Sequence, residues 1–259
     1  MEVVILCGGL GTRLREETEF RPKPMVNIGT RPILWHIMKM YAHYGHTEFI
    51  LPLGYKGEMI RDYFVNYEWM NNDVTIELGK PDKLCLYDCH EEAGWKVTLS
   101  DTGQSTLKGG RIKRIQKYIK GENFLLTYGD GVSDINIEEL IDFHLSHGKI
   151  ATLSGINLAQ RFGELRIEDD TVLSFQEKPE NTDGSIINGG FMVLNRRIFD
   201  YLIPDEDCDL EYGPMERLAQ EEHLMVRRHN GFWACMDTLR DTEHLNALWN
   251  EGKAAWKIW

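Results

Sequence analysis

Residues 6–14 read LCGGLGTRL, and a little further on Lys23 stands between two prolines in RPKPM. Gly8, Gly9 and Gly11 carry no Cβ, so backbone N–H groups around them can come close to a ligand. Oriented backbone donors of this kind suit a phosphate chain. Arg13 and Lys23 add two cations to the same loop, which can meet successive phosphates of a nucleoside triphosphate. Two other phosphate loops fit less well. The Walker string GxxxxGK[ST] does not occur. The dinucleotide fingerprint GxGxxG is nearly met from Gly9, but Leu14 fills its last position and no helix is expected directly after it.

The charge balance sharpens the search. With a net charge of −12, the chain is a poor match for DNA, RNA or an anionic membrane. An acidic protein that binds a polyanion needs a few basic side chains at one site and a divalent cation. The composition, 42% hydrophobic and 27% charged over 259 residues, is that of an ordinary globular protein. No apolar run approaches the roughly 20 residues that span a bilayer, and the start MEVVIL reads as a core strand rather than a signal peptide. Five scattered cysteines without CxxC spacing point to a reducing, cytoplasmic setting. Cys85, Cys89 and His90 lack the second cluster that a zinc site needs, so ordinary thiols are expected there.

Positioning such a loop calls for an α/β frame. Val3–Leu6 is the first strand, and residues 49–53, 124–127 and 150–153 are further buried strands. Helices are expected over 31–44, closed by Gly45, over 56–65, and after Asn136, which forms a capping-box pair with Glu139. That last helix should turn Ile137, Leu140, Ile141 and Leu145 inward. Ile112, Ile115 and Ile119 mark another helix after Gly109-Gly110. The alternating segments 74–78 and 95–99 suggest antiparallel strands. The order implies a Rossmann-like, doubly wound, mostly parallel mixed sheet with a small antiparallel β extension. One domain over 1–259 is expected, nucleotide-binding over about 1–150 with a second part over about 151–259.

LCGGLGTRLREETEFRPKPM resembles the signature LxGGxGxRLxPxTxxxPKPM of the sugar-1-phosphate nucleotidylyltransferases, with Cys7, Glu16 and Arg21 as departures. The resemblance implies a GT-A-like fold and transfer of a nucleotidyl group to a sugar 1-phosphate with release of pyrophosphate. It implies Arg13 and Lys23 as the catalytic cations. YGDG and MDTLRD resemble the family's metal-binding segments, so Asp130 and Asp237 are the expected Mg²⁺ ligands. FQEKP and INGGF resemble its sugar-phosphate site, giving Glu177, Lys178, Asn188 and Gly189, with Gly163 beside them. The nucleotide is expected at Leu6, Cys7, Gly8, Gly9, Gly11 and Thr12, and at Thr106, Gly110, Arg111 and Gly129. Glycines at 8–9 and 109–110 would let the base reach main-chain groups; Arg111 could equally be a surface cation at a helix start.

TGQSTLKGGRIKR and the C-terminal tail resemble one branch in particular, which pairs CTP with glucose 1-phosphate. UTP or dTTP, another hexose phosphate, or a silent nucleotide-binding subunit are the alternatives. Lys108 stands where that branch tends to have threonine, beside the loop expected to hold the base. The resemblance also implies a homo-oligomer, up to a hexamer. Trp249, Trp256 and Trp259 are expected to dock the tail or to bury a subunit contact, and His36, His43 and His46 to lie on a helix face.

Overall fold

The computed structural model describes residues 1–79, 84–87, 90–157, 164–168, 171–176 and 186–259. Seven strands form the main sheet: β1 (Val3–Leu6), β2 (Glu48–Leu53), β3 (Lys96–Asp101), β4 (Asn123–Tyr128), β5 (Ala151–Asn157), β6 (Ile186–Asn195) and β7 (Leu224–His229). Their order is β7-β5-β6-β4-β1-β2-β3. All neighbours run parallel except β6, which is antiparallel to both β4 and β5. The sheet therefore has the mixed, doubly wound character read from the sequence.

Side chains alternate across β1 because successive Cβ atoms point to opposite faces. Val3 and Ile5 enter one core with helices α1 (Ile33–His43) and α4 (Ile137–His147). Helix α5 (Leu239–Asn250) packs on the same face through Leu245. Val4 and Leu6 enter the other core, with Ile112 of α3 (Lys108–Arg114), Phe124, Phe199 and Leu218. Helix α2 (Gly57–Val65) adds Ile60 to the first core. This two-sided burial explains why the strands read as continuous apolar runs.

Three local expectations change. Residues 96–101 do not pair antiparallel; they form the parallel edge strand β3 beside β2, while Val74–Ile76 and Leu84–Leu86 make a separate antiparallel hairpin. A single helical turn, Arg15–Thr18, opens where none was expected. In α4, Leu145 is exposed and His144 is buried in the stripe instead. His144 can be buried because Thr152 and Asn123 satisfy its two ring nitrogens. The capping contact at Asn136 is present, its side chain accepting from the Glu139 N–H.

The C-terminal tail docks on α1. Trp256 is fully buried, its indole N–H donates to His36 Nδ1, and His36 donates from Nε2 to the Ile28 carbonyl. Trp249 and Trp259 pack edge-on against His36 and Trp35. His46 lies beyond the end of α1 and pairs with the N-terminal amine.

Candidate active site

The glycine loop leaves the sheet where β1 ends. Cys7 still bridges Leu53 of β2, and its N–H donates to the Pro52 carbonyl. Gly11 then takes the left-handed conformation, φ 63°, which favours glycine. The Thr18 hydroxyl lies against it and bonds the carbonyls of Gly11 and Leu14. Buried Leu14 anchors the loop to the first core. Lys23 begins a short 3₁₀ turn, Lys23–Met25, held by the Met25 N–H on the Pro22 carbonyl. Prolines on either side restrict the backbone that carries the ammonium.

The carboxylates arrive from distant segments. Residues 131–133, just after Asp130, pair antiparallel with 233–235, and the Met236 N–H donates to the Asp130 carbonyl. That pairing sets Asp237 beside Asp130. Thr238 and Asp241 form the capping box of α5, which leaves the Asp237 carboxylate for other partners. Lys23 Nζ donates to Asp130 Oδ2 at 2.7 Å and to Asp237 Oδ1 at 2.6 Å, and Arg13 donates to Asp237 Oδ2 at 2.8 Å. Burial alone would lower the Lys23 pKa, but the two carboxylates outweigh it and hold the ammonium above the ordinary lysine value. Burial likewise works against ionised Asp237, and Lys23 and Arg13 outweigh it to hold that carboxyl below the usual range. Burial, reinforced by the two aspartates, pushes the neighbouring Cys235 thiol up to about 12. It is no nucleophile at neutral pH.

Arg13, Lys23 and Asp130 border a cleft of about 530 Å³. Leu6, Cys7, Gly9, Gly11 and Thr12 line its loop side, with Arg13 and Lys23; Gly129, Asp130 and Asn188 line the opposite side. Gly8 lies behind the wall, buried. Both oxygens that accept from Lys23 converge on one cation, and they are hard donors. Such a pair fits a magnesium ion, which takes one or two protein carboxylates and fills its remaining positions with phosphate and water.

Several expectations need correcting. Arg111 is 3% exposed and is no surface cation. Its guanidinium donates to the carbonyls of Gly8, Leu53, Gly103 and Gln104 and to the Thr102 hydroxyl, tying the glycine loop to the ends of β2 and β3. Gly109 and Gly110 are both buried in the first turn of α3. A Cβ at either would strike the backbone of Asp209 or Asp205, so they let α3 press against that segment. Thr106 is buried and accepts from Arg114. Gly189 lies against Ser154 and Ile156 of β5, and its carbonyl accepts from the Trp233 indole. Gly163, Glu177 and Lys178 lie outside the described residues, as does Cys89.

The sequence reading missed Tyr128 and Glu211 as cleft residues, and it noted Lys108 only as a departure. Lys108 Nζ lies 2.6 Å from Glu211 Oε1, and the Tyr128 hydroxyl donates to the same oxygen at 2.5 Å. Glu211 carries no local motif. The one available signal was Tyr128 itself, adjoining the YGDG glycine at the mouth of a buried strand.

A mixed sheet with a phosphate-type loop at its strand ends, and a lysine gripped by two carboxylates, defines a nucleotide-handling α/β enzyme. The chain belongs to the Nucleotidyl transferase family, whose profile matches residues 2–254. It is 52% identical to the glucose-1-phosphate cytidylyltransferase of Salmonella typhi over the full length of both chains. It is 47% identical, again end to end, to a probable glucose-1-phosphate cytidylyltransferase of Bacillus subtilis strain 168. Among solved structures, HddC from Yersinia pseudotuberculosis, complexed with GMP-PN, is similar at a TM-score of 0.69 and 25% identity, covering 96% of this chain and 99% of that one.

Proposed function

We propose that the protein transfers a cytidylyl group from CTP to α-D-glucose 1-phosphate, giving CDP-glucose and pyrophosphate. The observation that carries this reading is the Lys23 ammonium held between Asp130 and Asp237 in the glycine-loop cleft. The choice of CTP and glucose 1-phosphate is supported by the two relatives matched end to end, a glucose-1-phosphate cytidylyltransferase and a probable one.

An oxygen of the sugar phosphate attacks the α-phosphorus of CTP. The bond from that phosphorus to the β-phosphate bridge breaks in line, and pyrophosphate leaves. The attacking phosphate is already a nucleophile, so no side chain forms a covalent intermediate. The obstacles are repulsion between two anions and charge growing on the departing group; positioned cations meet both. Lys23, already fixed on its proline-flanked turn, takes the α-phosphate and the incoming phosphate. Arg13 reaches over the cleft with a largely exposed side chain and takes the β- and γ-phosphates. Asp130 and Asp237 would hold Mg²⁺, which when bound neutralises triphosphate charge. Main-chain groups of 6–9, braced by Arg111, face the base. Asn188 meets the sugar phosphate, together with Glu177, Lys178 and Gly163.

No helix among the described residues is long and apolar enough to cross a membrane. A reducing cytoplasm is in keeping with the four described cysteines being free thiols. Assembly into a homo-oligomer is supported by the exposed apolar side chains Met70, Ile76, Leu78 and Tyr87 on and beside the paired strands 74–76 and 84–86.

Pyrophosphate release, measured with CTP, UTP, dTTP and GTP against a panel of hexose 1-phosphates, tests the reading. Preference for CTP with glucose 1-phosphate is expected. Preference for UTP or dTTP overturns the base, and CTP binding without any turnover overturns the reaction.

A further inference from the structure

Four cleft residues form a directed chain of hydrogen bonds. Asn188 Nδ2 donates to the Tyr128 hydroxyl at 3.2 Å, and that hydroxyl donates to Glu211 Oε1 at 2.5 Å. Lys108 donates to the same carboxylate oxygen at 2.6 Å, and its ammonium lies over the Tyr128 ring. Each link removes a freedom from the one before it. Glu211 can accept but not donate while ionised, so the tyrosine must present its proton to Glu211 and its lone pair to Asn188. Asn188 Oδ1 accepts from the Gly190 N–H at 2.9 Å, which closes the alternative amide orientation. One Nδ2 hydrogen of Asn188 is then left for the cleft, aimed before any ligand arrives.

Glu211 is itself held from below. Its N–H donates to Asp209 Oδ1 at 2.8 Å. The surrounding segment is fastened to α3 by the Leu107 N–H on the Glu206 carbonyl and the Gly110 N–H on the Cys208 carbonyl.

We propose that Tyr128 and Glu211 are positioning residues for the sugar 1-phosphate, orienting the Asn188 amide, and that Lys108 holds the Glu211 carboxylate in place for this task. The inference rests on the reading above that the sugar-phosphate end of the cleft lies at Asn188. The role differs from that of Lys23 and Arg13, whose charges meet phosphate groups directly. It predicts a selective defect, in which the sugar side weakens and the nucleotide side does not.

Calorimetric titration of the full chain tests this. CTP is titrated alone, and glucose 1-phosphate is titrated in the presence of a non-hydrolysable CTP analogue. Tyr128→Phe and Glu211→Gln should each weaken glucose 1-phosphate about tenfold, the scale of one ordered hydrogen bond lost. CTP affinity should stay within about twofold. The double variant should be no weaker than the worse single one, because both act through one amide. Lys108→Met should show the same selective loss and Lys108→Arg should restore it. Tyr128→Phe keeps the ring and its packing, so it reports even if Glu211→Gln fails to fold. Unchanged sugar-phosphate affinity in Tyr128→Phe, equal weakening of both ligands, or additive losses would overturn the proposal. Wild-type protein that binds both ligands but releases no pyrophosphate would sink the reaction and leave the positioning chain standing; no binding of glucose 1-phosphate overturns both.

Discussion

Replacing Lys23 by methionine keeps most of the side-chain volume and removes the charge at the centre of the site. The Lys23 side chain is 12% exposed, and its ammonium serves two carboxylates at once. Its environment is therefore neither bulk water nor dry interior. At an effective dielectric constant near 20, two unit charges about 4 Å apart interact by roughly 4 kcal/mol. Removal of one preorganised donor from a site of developing negative charge typically costs about 3–4 kcal/mol. The two scales agree, and Lys23→Met should lower kcat by roughly 10²–10³. KM for CTP should change only a few-fold, since Arg13 and the loop amides remain. The variant should also lose thermal stability at neutral pH, because Asp130 and Asp237 then face each other without their shared counter-ion, and added magnesium should restore part of that loss. Coupled pyrophosphate release gives kcat and KM, and thermal denaturation with and without magnesium gives the second readout. A kcat within threefold of wild type would remove Lys23 from the transfer step. A Tm that ignores magnesium would refute the shared cation site.

Three further outcomes follow from the same geometry. Asp237→Asn should shift the magnesium titration of turnover by an order of magnitude or more; an unchanged titration would reduce Asp237 to a partner for Arg13 and Lys23. Arg111→Met takes the closer donor from the buried Gly8 carbonyl and cuts the tie between the glycine loop and residues 102–104, while Leu53 still accepts from Thr102. At about 1–3 kcal/mol for a buried group left underpaired, the protein should lose about 2 kcal/mol in urea denaturation, with weaker CTP binding; a loss under about 1 kcal/mol would argue against the brace. Buried His36 has its pKa lowered to about 4, chiefly by burial, then by Arg31 and Lys257, against opposing backbone hydrogen bonds from Ile28 and Arg31. Its unfolded value lies near 6.5, so the unfolded chain binds the proton more readily; stability is full above about pH 6.5 and falls as pH drops toward 4, by about 3 kcal/mol. Tm measured across that window should slope less steeply in His36→Gln than in wild type, and parallel slopes would locate the acid sensitivity elsewhere.

What could be read from the chain was local chemistry. A run of glycines, a lysine between prolines and Asn136 followed by Glu139 each act within a few residues, where backbone sterics and short hydrogen bonds decide the conformation. The apolar runs at 3–6 and 124–127 revealed two-sided burial for the same reason. Alternation at 95–99 revealed a half-buried strand but not its direction, because edge strands of either sense expose one face; β3 is parallel because it continues the sheet beyond β2. Leu145 and His144 exchanged places because partners on β4 and β5 satisfy the imidazole, and no helical period carries that information.

Tertiary structure alone decided where the charges went. Arg111 reads equally as a nucleotide-loop residue or a helix-start surface cation, and it is buried among five acceptors supplied by residues 8, 53 and 102–104. Asp130 and Asp237 meet through a strand pairing more than a hundred positions apart in the chain, and Glu211 joins Tyr128 and Lys108 from a segment with no motif of its own. Electrostatic and hydrogen-bonding partners act across a few ångströms of space. Sequence types the groups that can take part; only the folded sheet determines which of them come within that reach.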